Sequence, residues 1–176
     1  KPRGVITSAH DEKGRKTVVD LLNGVQERVY PVGRLDYDTS GLLLLTNDGE
    51  LANGLMHPSF QVDKTYVARV KGIPVSEQLK QLEKGVVLDG RKTRPAKVKV
   101  IRTEKIKNYS IIQITIHEGW HHQVKRMMEK VGLPVDKLSR ERFAFLTLDG
   151  LNAGEYRSLR THEVRELYDL VETRSK

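Results

Sequence analysis

The 176-residue sequence has no cysteine. That excludes a disulfide framework, a thiolate-held zinc or iron–sulfur site and a thiol nucleophile, and it fits a reducing compartment. Long hydrophobic runs are also missing: unbroken apolar stretches reach four residues, at 42–45 and 143–146, too short for a helix that spans a bilayer. There is no internal repeat, low-complexity tract or flexible linker. The chain opens on Lys1 without a charged-then-apolar leader pattern, so it is expected to be a piece of a longer protein. What remains is 38% hydrophobic and 31% charged, the balance of one compact domain that buries roughly 70% of its unfolded-chain surface.

The net charge of +8 and pI near 9.7 suit a polyanionic partner, and the charge is concentrated. Residues 91–107 carry Arg91, Lys92, Arg94, Lys97, Lys99, Arg102, Lys105 and Lys107 against Glu104 alone. The other 159 residues are nearly neutral. Val98 and Val100 alternate with Lys97 and Lys99, which is the two-residue period of a strand with one apolar and one basic face. Such a strand contacts phosphates, or it is an edge strand that lysines keep from pairing.

Short strands and short helices are mixed along the chain. Strands are expected at 5–8 and 28–32, around a short helix from Thr17 to Gly24, and at 41–46, where the leucines call for cover on both faces. The turn at Asn47-Asp48-Gly49 leads into a helix over 50–56 that Pro58 stops. Further strands are expected at 65–71, 94–102, 110–117, 143–148 and 156–159. Helices are expected from a Ser76 cap to Gly85, over 121–131 with Gly132 beyond its end, and from a Thr161 cap with Val164, Leu167, Tyr168 and Val171 on one face. The order is neither strictly alternating nor segregated, so the fold class is α+β with a mixed, mostly antiparallel sheet flanked by short helices.

Chemistry is densest at Gly33-Arg34-Leu35-Asp36-Tyr37-Asp38-Thr39-Ser40-Gly41. On an extended backbone Arg34 and Asp36 project to one side, where the guanidinium keeps the carboxylate ionised. Such an anion serves as nucleophile, base or salt-bridge partner, and Arg-x-Asp by itself is most simply a salt bridge. Asp36-Tyr37-Asp38-Thr39 resembles, without matching position for position, the Asp-x-Asp-x-Thr string of haloacid-dehalogenase-like, metal-dependent phosphotransferases. That string should close a buried parallel strand, whereas here the apolar strand follows it. His117-Glu118-Gly119-Trp120-His121 matches the string of zinc peptidases, which needs a helix to place both histidines on one face. Ile112, Ile114 and Ile116 instead alternate as a strand running into it.

A third likeness covers nearly the whole chain. Gly33-Arg34-Leu35-Asp36, Thr39 and the stretch 41–49 resemble the central motif of pseudouridine synthases of the ribosomal small-subunit synthase A type. Lys1-Pro2-x-Gly4 resembles the family's first motif, Lys64-Thr65-Tyr66 its tyrosine motif, and Glu118-Gly119-x-x-His122-Gln123-Val124-Lys125-Arg126-Met127 its basic motif. Residues 148–157 resemble its closing stretch. The wording at 36–41 and 48–53 favours the branch that acts on the large ribosomal subunit.

The resemblance implies a catalytic domain over residues 1–176, with a small S4-like RNA-binding domain upstream in full-length relatives, and a pseudouridine synthase fold with an RNA-binding cleft. It implies isomerisation of one uridine in ribosomal RNA, from the large subunit before the small, by a monomeric bacterial enzyme of the cytoplasm. Asp36 is carried over as the catalytic aspartate. Arg34 would pair with it and hold the gap left by the flipped base, Lys125 would be the second cation, and Tyr66 would stack on the uracil. Without the motif, Tyr66 reads as a half-buried strand aromatic. Flipping costs a few kcal/mol, to be met by RNA contacts from Arg94, Lys97, Lys99, His122, Gln123, Arg126 and Lys130, with Arg140 and Arg142 as further candidates. Trp120 is either a base-stacking ring or a packing anchor. No metal or cofactor is expected. The alternative from another class is a catalytically silent RNA-binding assembly factor.

Overall fold

The computed structural model describes residues 1–174. In chain order it contains β1 (Tyr30–Pro31), β2 (Ser40–Gly41), β3 (Leu45–Thr46), α1 (Gly49–Met56), β4 (Lys64–Lys71), α2 (Ser76–Lys84), β5 (Val87–Leu88) and β6 (Arg91–Lys92). Then follow β7 (Lys97–Glu104), β8 (Tyr109–Ile116), α3 (Gln123–Lys130), β9 (Val135–Phe143), β10 (Leu146–Thr147) and α4 (Thr161–Arg174). The chain divides into two compact units, residues 1–62 with 143–176, and residues 63–142. Among the described residues no helix is long and apolar enough to cross a membrane.

The first unit is poor in regular structure. Ile6 and Thr17 form an isolated parallel bridge, Val18–Leu21 is a 3-10 turn, and β1 and β3 pair antiparallel. The continuous strand expected at 41–46 is broken: Leu42 and Leu44 are buried in irregular backbone, and Leu44 C=O accepts from Val32 N–H at 2.8 Å. All four leucines of the run line a cavity of about 510 Å³ together with Leu148, Leu151 and Tyr168. Asp48 caps α1 by accepting from Leu51 N–H at 3.1 Å. Leu51 and Leu55 of α1 join Val32, Phe143, Leu146 and Leu167 of α4 in one core.

In the second unit the strands lie in the order β9-β4-β8-β7, with β8 antiparallel to both β4 and β7. Ala68, Val70, Ile112, Ile114 and Ile116 pack against Leu82 of α2 and Val124, Met127 and Met128 of α3. Ser76 begins α2 rather than capping it. Val75 is the cap residue, and its N–H is taken by the Gln78 side chain at 2.9 Å. Gly85, at φ +101°, ends α2 where an added Cβ would lie 2.1 Å from the Thr93 carbonyl oxygen, so no other residue fits. Strand β9 has no counterpart in the sequence reading, and the strand expected at 156–159 does not form.

Candidate active site and nucleic-acid interface

In the first unit Asp36 sits on an irregular loop, half-buried, between exposed Arg34 and exposed Tyr37. Five successive carbonyls hold this loop. The buried Thr7 hydroxyl donates to Leu35 C=O at 2.6 Å and accepts from Leu35 N–H at 3.2 Å. Asp36 C=O accepts from Thr39 N–H at 2.9 Å. Tyr37 C=O accepts from Gly4 N–H at 2.8 Å and from Lys1 Nζ at 3.3 Å. Asp38 C=O accepts from Arg3 Nε at 3.1 Å, and Thr39 C=O from Lys1 Nζ at 2.7 Å. Residues 1–7 are thus a clamp on the aspartate loop. A buried, doubly bonded Leu35 backbone fixes where the next residue starts.

Arg34 is exposed. Residues 34–36 are irregular backbone rather than a strand. The loop context also differs from that of a phosphotransferase, whose first aspartate ends a parallel strand. Residues 117–121 follow β8 as irregular backbone, so His117 and His121 share no helix face. His117 Nδ1 lies 2.7 Å from Asp63.

In the second unit Tyr66 lies on β4 opposite Ile114, half-buried and packed against the core that α3 covers. Two residues earlier, Lys64 donates to His117 C=O at 3.3 Å. Burial, and after it the positive charge of Arg140, push the Lys64 ammonium down to about 8, while Asp63 and Glu118 pull the other way. In the sequence Lys64 stands only as part of the tyrosine motif, with no role of its own. Its signal is the spacing: on a strand, i and i+2 share a face, so Lys64 follows Tyr66 to the core side.

The basic motif separates into residues with different duties. Lys125 is half-buried on α3 and Lys130 is exposed. His122, at φ +51°, precedes the helix and stacks on His121 with ring centroids 3.8 Å apart. Gln123 is 4% exposed. Its Oε1 accepts from Trp120 N–H at 3.1 Å and its Nε2 donates to Glu118 at 3.1 Å, so its amide fixes the start of α3 and the expected RNA contact is withdrawn. Arg126 Nη2 donates to Asp89 at 2.5 Å and Nη1 to His121 C=O at 3.3 Å. Arg140 is 2% exposed, which removes it as a surface phosphate contact, while Arg142 remains exposed. Trp120 is an anchor: it packs against the core and carries the Arg91 guanidinium 4.1 Å from its ring centroid. Arg94, Lys97 and Lys99 are exposed, and Arg94 N–H donates to Glu118 at 2.7 Å.

Residues 1–130 match the family model described as RNA pseudouridylate synthase. The chain belongs to that family. It is 58% identical over 172 residues to ribosomal large subunit pseudouridine synthase B of Bacillus subtilis, covering 98% of this chain and 70% of the relative. Identity to the protein of the same name from Vibrio cholerae is 41% over 176 residues, covering 99% and 54%. A pseudouridylate synthase crystal structure superposes with a TM-score of 0.84 at 32% identity, over 95% of this chain and 70% of that one. The α+β pseudouridine synthase fold expected from the sequence is therefore the fold of the chain.

Proposed function

We propose that this chain carries the catalytic domain, both units together, of an enzyme that converts one uridine of large-subunit ribosomal RNA to pseudouridine. The bond from ribose C1′ to uracil N1 breaks, a bond from C1′ to C5 forms, and the C5 proton leaves as N1 gains one. Product and substrate are isomers, so the balance calls for no oxidant, phosphoryl donor or metal.

Asp36 is the catalytic residue in this reading, acting at C1′ as the glycosidic bond opens. Tyr66 stacks on the flipped uracil, and its phenol is placed for the proton shift. Lys125 supplies positive charge to the reacting anion, and exposed Arg34 fills the gap left in the helix by the extruded base. His122, Arg126 and Lys130 contact phosphate. For Arg126 this requires an RNA phosphate to replace the Asp89 carboxylate.

The observation that carries the proposal is the loop at 35–39. Its five engaged carbonyls fix the backbone that carries Asp36, which is the preorganisation that covalent or electrostatic catalysis needs. The test is pseudouridine mapping on unmodified large- and small-subunit ribosomal RNA, incubated in EDTA with the protein and with Asp36→Asn. One new site in large-subunit RNA that disappears with the substitution is expected. Turnover by Asp36→Asn would take the aspartate out of the mechanism, and a chelator-sensitive activity would favour the phosphotransferase reading.

A further inference from the structure

The strand registers of the second unit sort its side chains onto two faces. Tyr66, Ala68 and Val70 stand opposite Ile114, Ile112 and Ser110, on the side covered by the core. Thr65, Val67, Arg69 and Lys71 stand opposite Thr115, Gln113, Ile111 and Tyr109, on the other side. Along β8 the first set is at most 2% exposed, whereas Tyr109, Ile111, Gln113 and Thr115 are all half-exposed. Solvent reaches this second face.

Lys97 and Lys99 oppose Thr115 and Gln113, so they belong to the open face. Simple alternation would then turn Arg102 inward with Val98 and Val100. A bulge at Ile101 prevents this: Val100 opposes Ile112, and Arg102 opposes the adjacent Ile111. The extra residue restores Arg102 to the open face. There its Nη2 donates to Tyr109 Oη at 2.9 Å, while Arg69 covers the same ring at 3.9 Å.

The row from Lys97 to Arg102 is about 15 Å long at the usual strand rise. A nucleic-acid duplex carries about one charge per 1.7 Å of axis, so this row can meet several phosphates. Lysines alone would satisfy the protection of an edge strand. A bulge that adds an arginine to the same row, with its guanidinium bonded to the Tyr109 hydroxyl, goes further than edge protection needs.

We infer that the open face of the second unit is a second RNA-docking surface, on which Lys97, Lys99, Arg102 and Arg69 bind the phosphate backbone of an RNA helix other than the one bearing the target uridine. The inference rests on the proposal that the chain acts on RNA. Tyr66 lies on the opposite face of the same sheet, so an RNA segment stacked on Tyr66 cannot also lie flat on this one.

The test is the triple variant Lys97→Gln, Lys99→Gln, Arg102→Gln, titrated against two probes over a series of KCl concentrations. One is an unmodified full-length large-subunit ribosomal RNA transcript, and the other a short stem-loop around the mapped uridine. On the transcript, the slope of log affinity against log salt should fall by about 2 to 3, since each neutralised phosphate contributes about 0.7 to 0.9, and binding should weaken at least tenfold. On the stem-loop, affinity should change less than twofold. Equal losses on both probes would overturn the inference by placing these cations at the target stem. No loss on either would return the strand to edge protection or to contact with a protein partner. Wild-type protein that binds neither probe would overturn the RNA reading itself. A triple variant with a lowered melting midpoint is replaced by Lys97→Met with Lys99→Met, for which a slope change of about 1.5 is expected.

Discussion

Lys64→Met separates the charge of a buried lysine from its packing. The folded chain holds the Lys64 ammonium at about 8 against an ordinary 10.5, chiefly through burial and then through Arg140. A difference of this size amounts to about 3 kcal/mol of stability that the folded protein forgoes while Lys64 is charged. The unfolded chain binds the proton more tightly, so stability rises with pH wherever unfolded molecules carry more protons. The cost is fully present below about pH 8 and is gone above about pH 10.5. Methionine keeps the aliphatic stem and loses the hydrogen bond to His117 C=O, worth about 1 kcal/mol. Lys64→Met should therefore be more stable than wild type by about 2 kcal/mol at pH 7 and lose that advantage at about pH 10.5. Urea unfolding of both proteins at each pH, followed by circular dichroism, reads the difference directly. A variant less stable at pH 7, or a difference independent of pH, would refute the reasoning. A stability gain together with lost turnover would mark Lys64 as a charge kept for function at the expense of folding.

Thr7→Val leaves both Leu35 backbone groups without their buried partner and should cost about 2 kcal/mol. In single-turnover assays it should slow isomerisation more than it weakens RNA binding, with Thr7→Ser restoring most of the rate. Glu163 is held at about 2 by the two-pronged Arg157 contact at 2.7 and 2.8 Å and by Arg160 N–H at 2.8 Å. Its stabilising contribution is complete above about pH 4.5 and is lost as pH falls toward 2. Acid titrations of wild type and Glu163→Gln should converge at the low end of that range, and curves that stay parallel would contradict the assignment.

Elements with a clean period were legible in the sequence. The β8 stretch Ile112, Ile114, Ile116 and the α3 set Val124, Met127, Met128 give single apolar faces, and both sit in the core as expected. Strand β9 was not legible because Asp136, Lys137, Arg140, Glu141 and Arg142 interrupt any alternation, and Arg140 is buried despite its charge. The run at 42–45 misled in the opposite sense: four leucines read as one strand, while the backbone bends and uses them to fill both a core and a cavity wall. The bulge at Ile101 is likewise invisible to a two-residue period, yet it decides which face Arg102 joins.

For the candidate site, which side chains are already engaged within the protein was not legible in the sequence. Within 122–130, Gln123 looks as suited to RNA as its neighbours, yet its amide is used up by Trp120 and Glu118. Arg126 begins bound to Asp89, which stands on the β5–β6 turn and is itself well exposed. A carboxylate in that place competes with phosphate for the guanidinium, so under the proposed function Arg126 would bind RNA only by exchanging one anion for another. The arrangement favours partners that bring a high density of phosphate, because a single exposed ion pair is worth little and only a polyanion that releases counterions at many contacts gains enough to displace it. The loop at 35–39 is held by contacts within the protein, whereas under the proposed function the basic helix and the open sheet face would be completed by RNA.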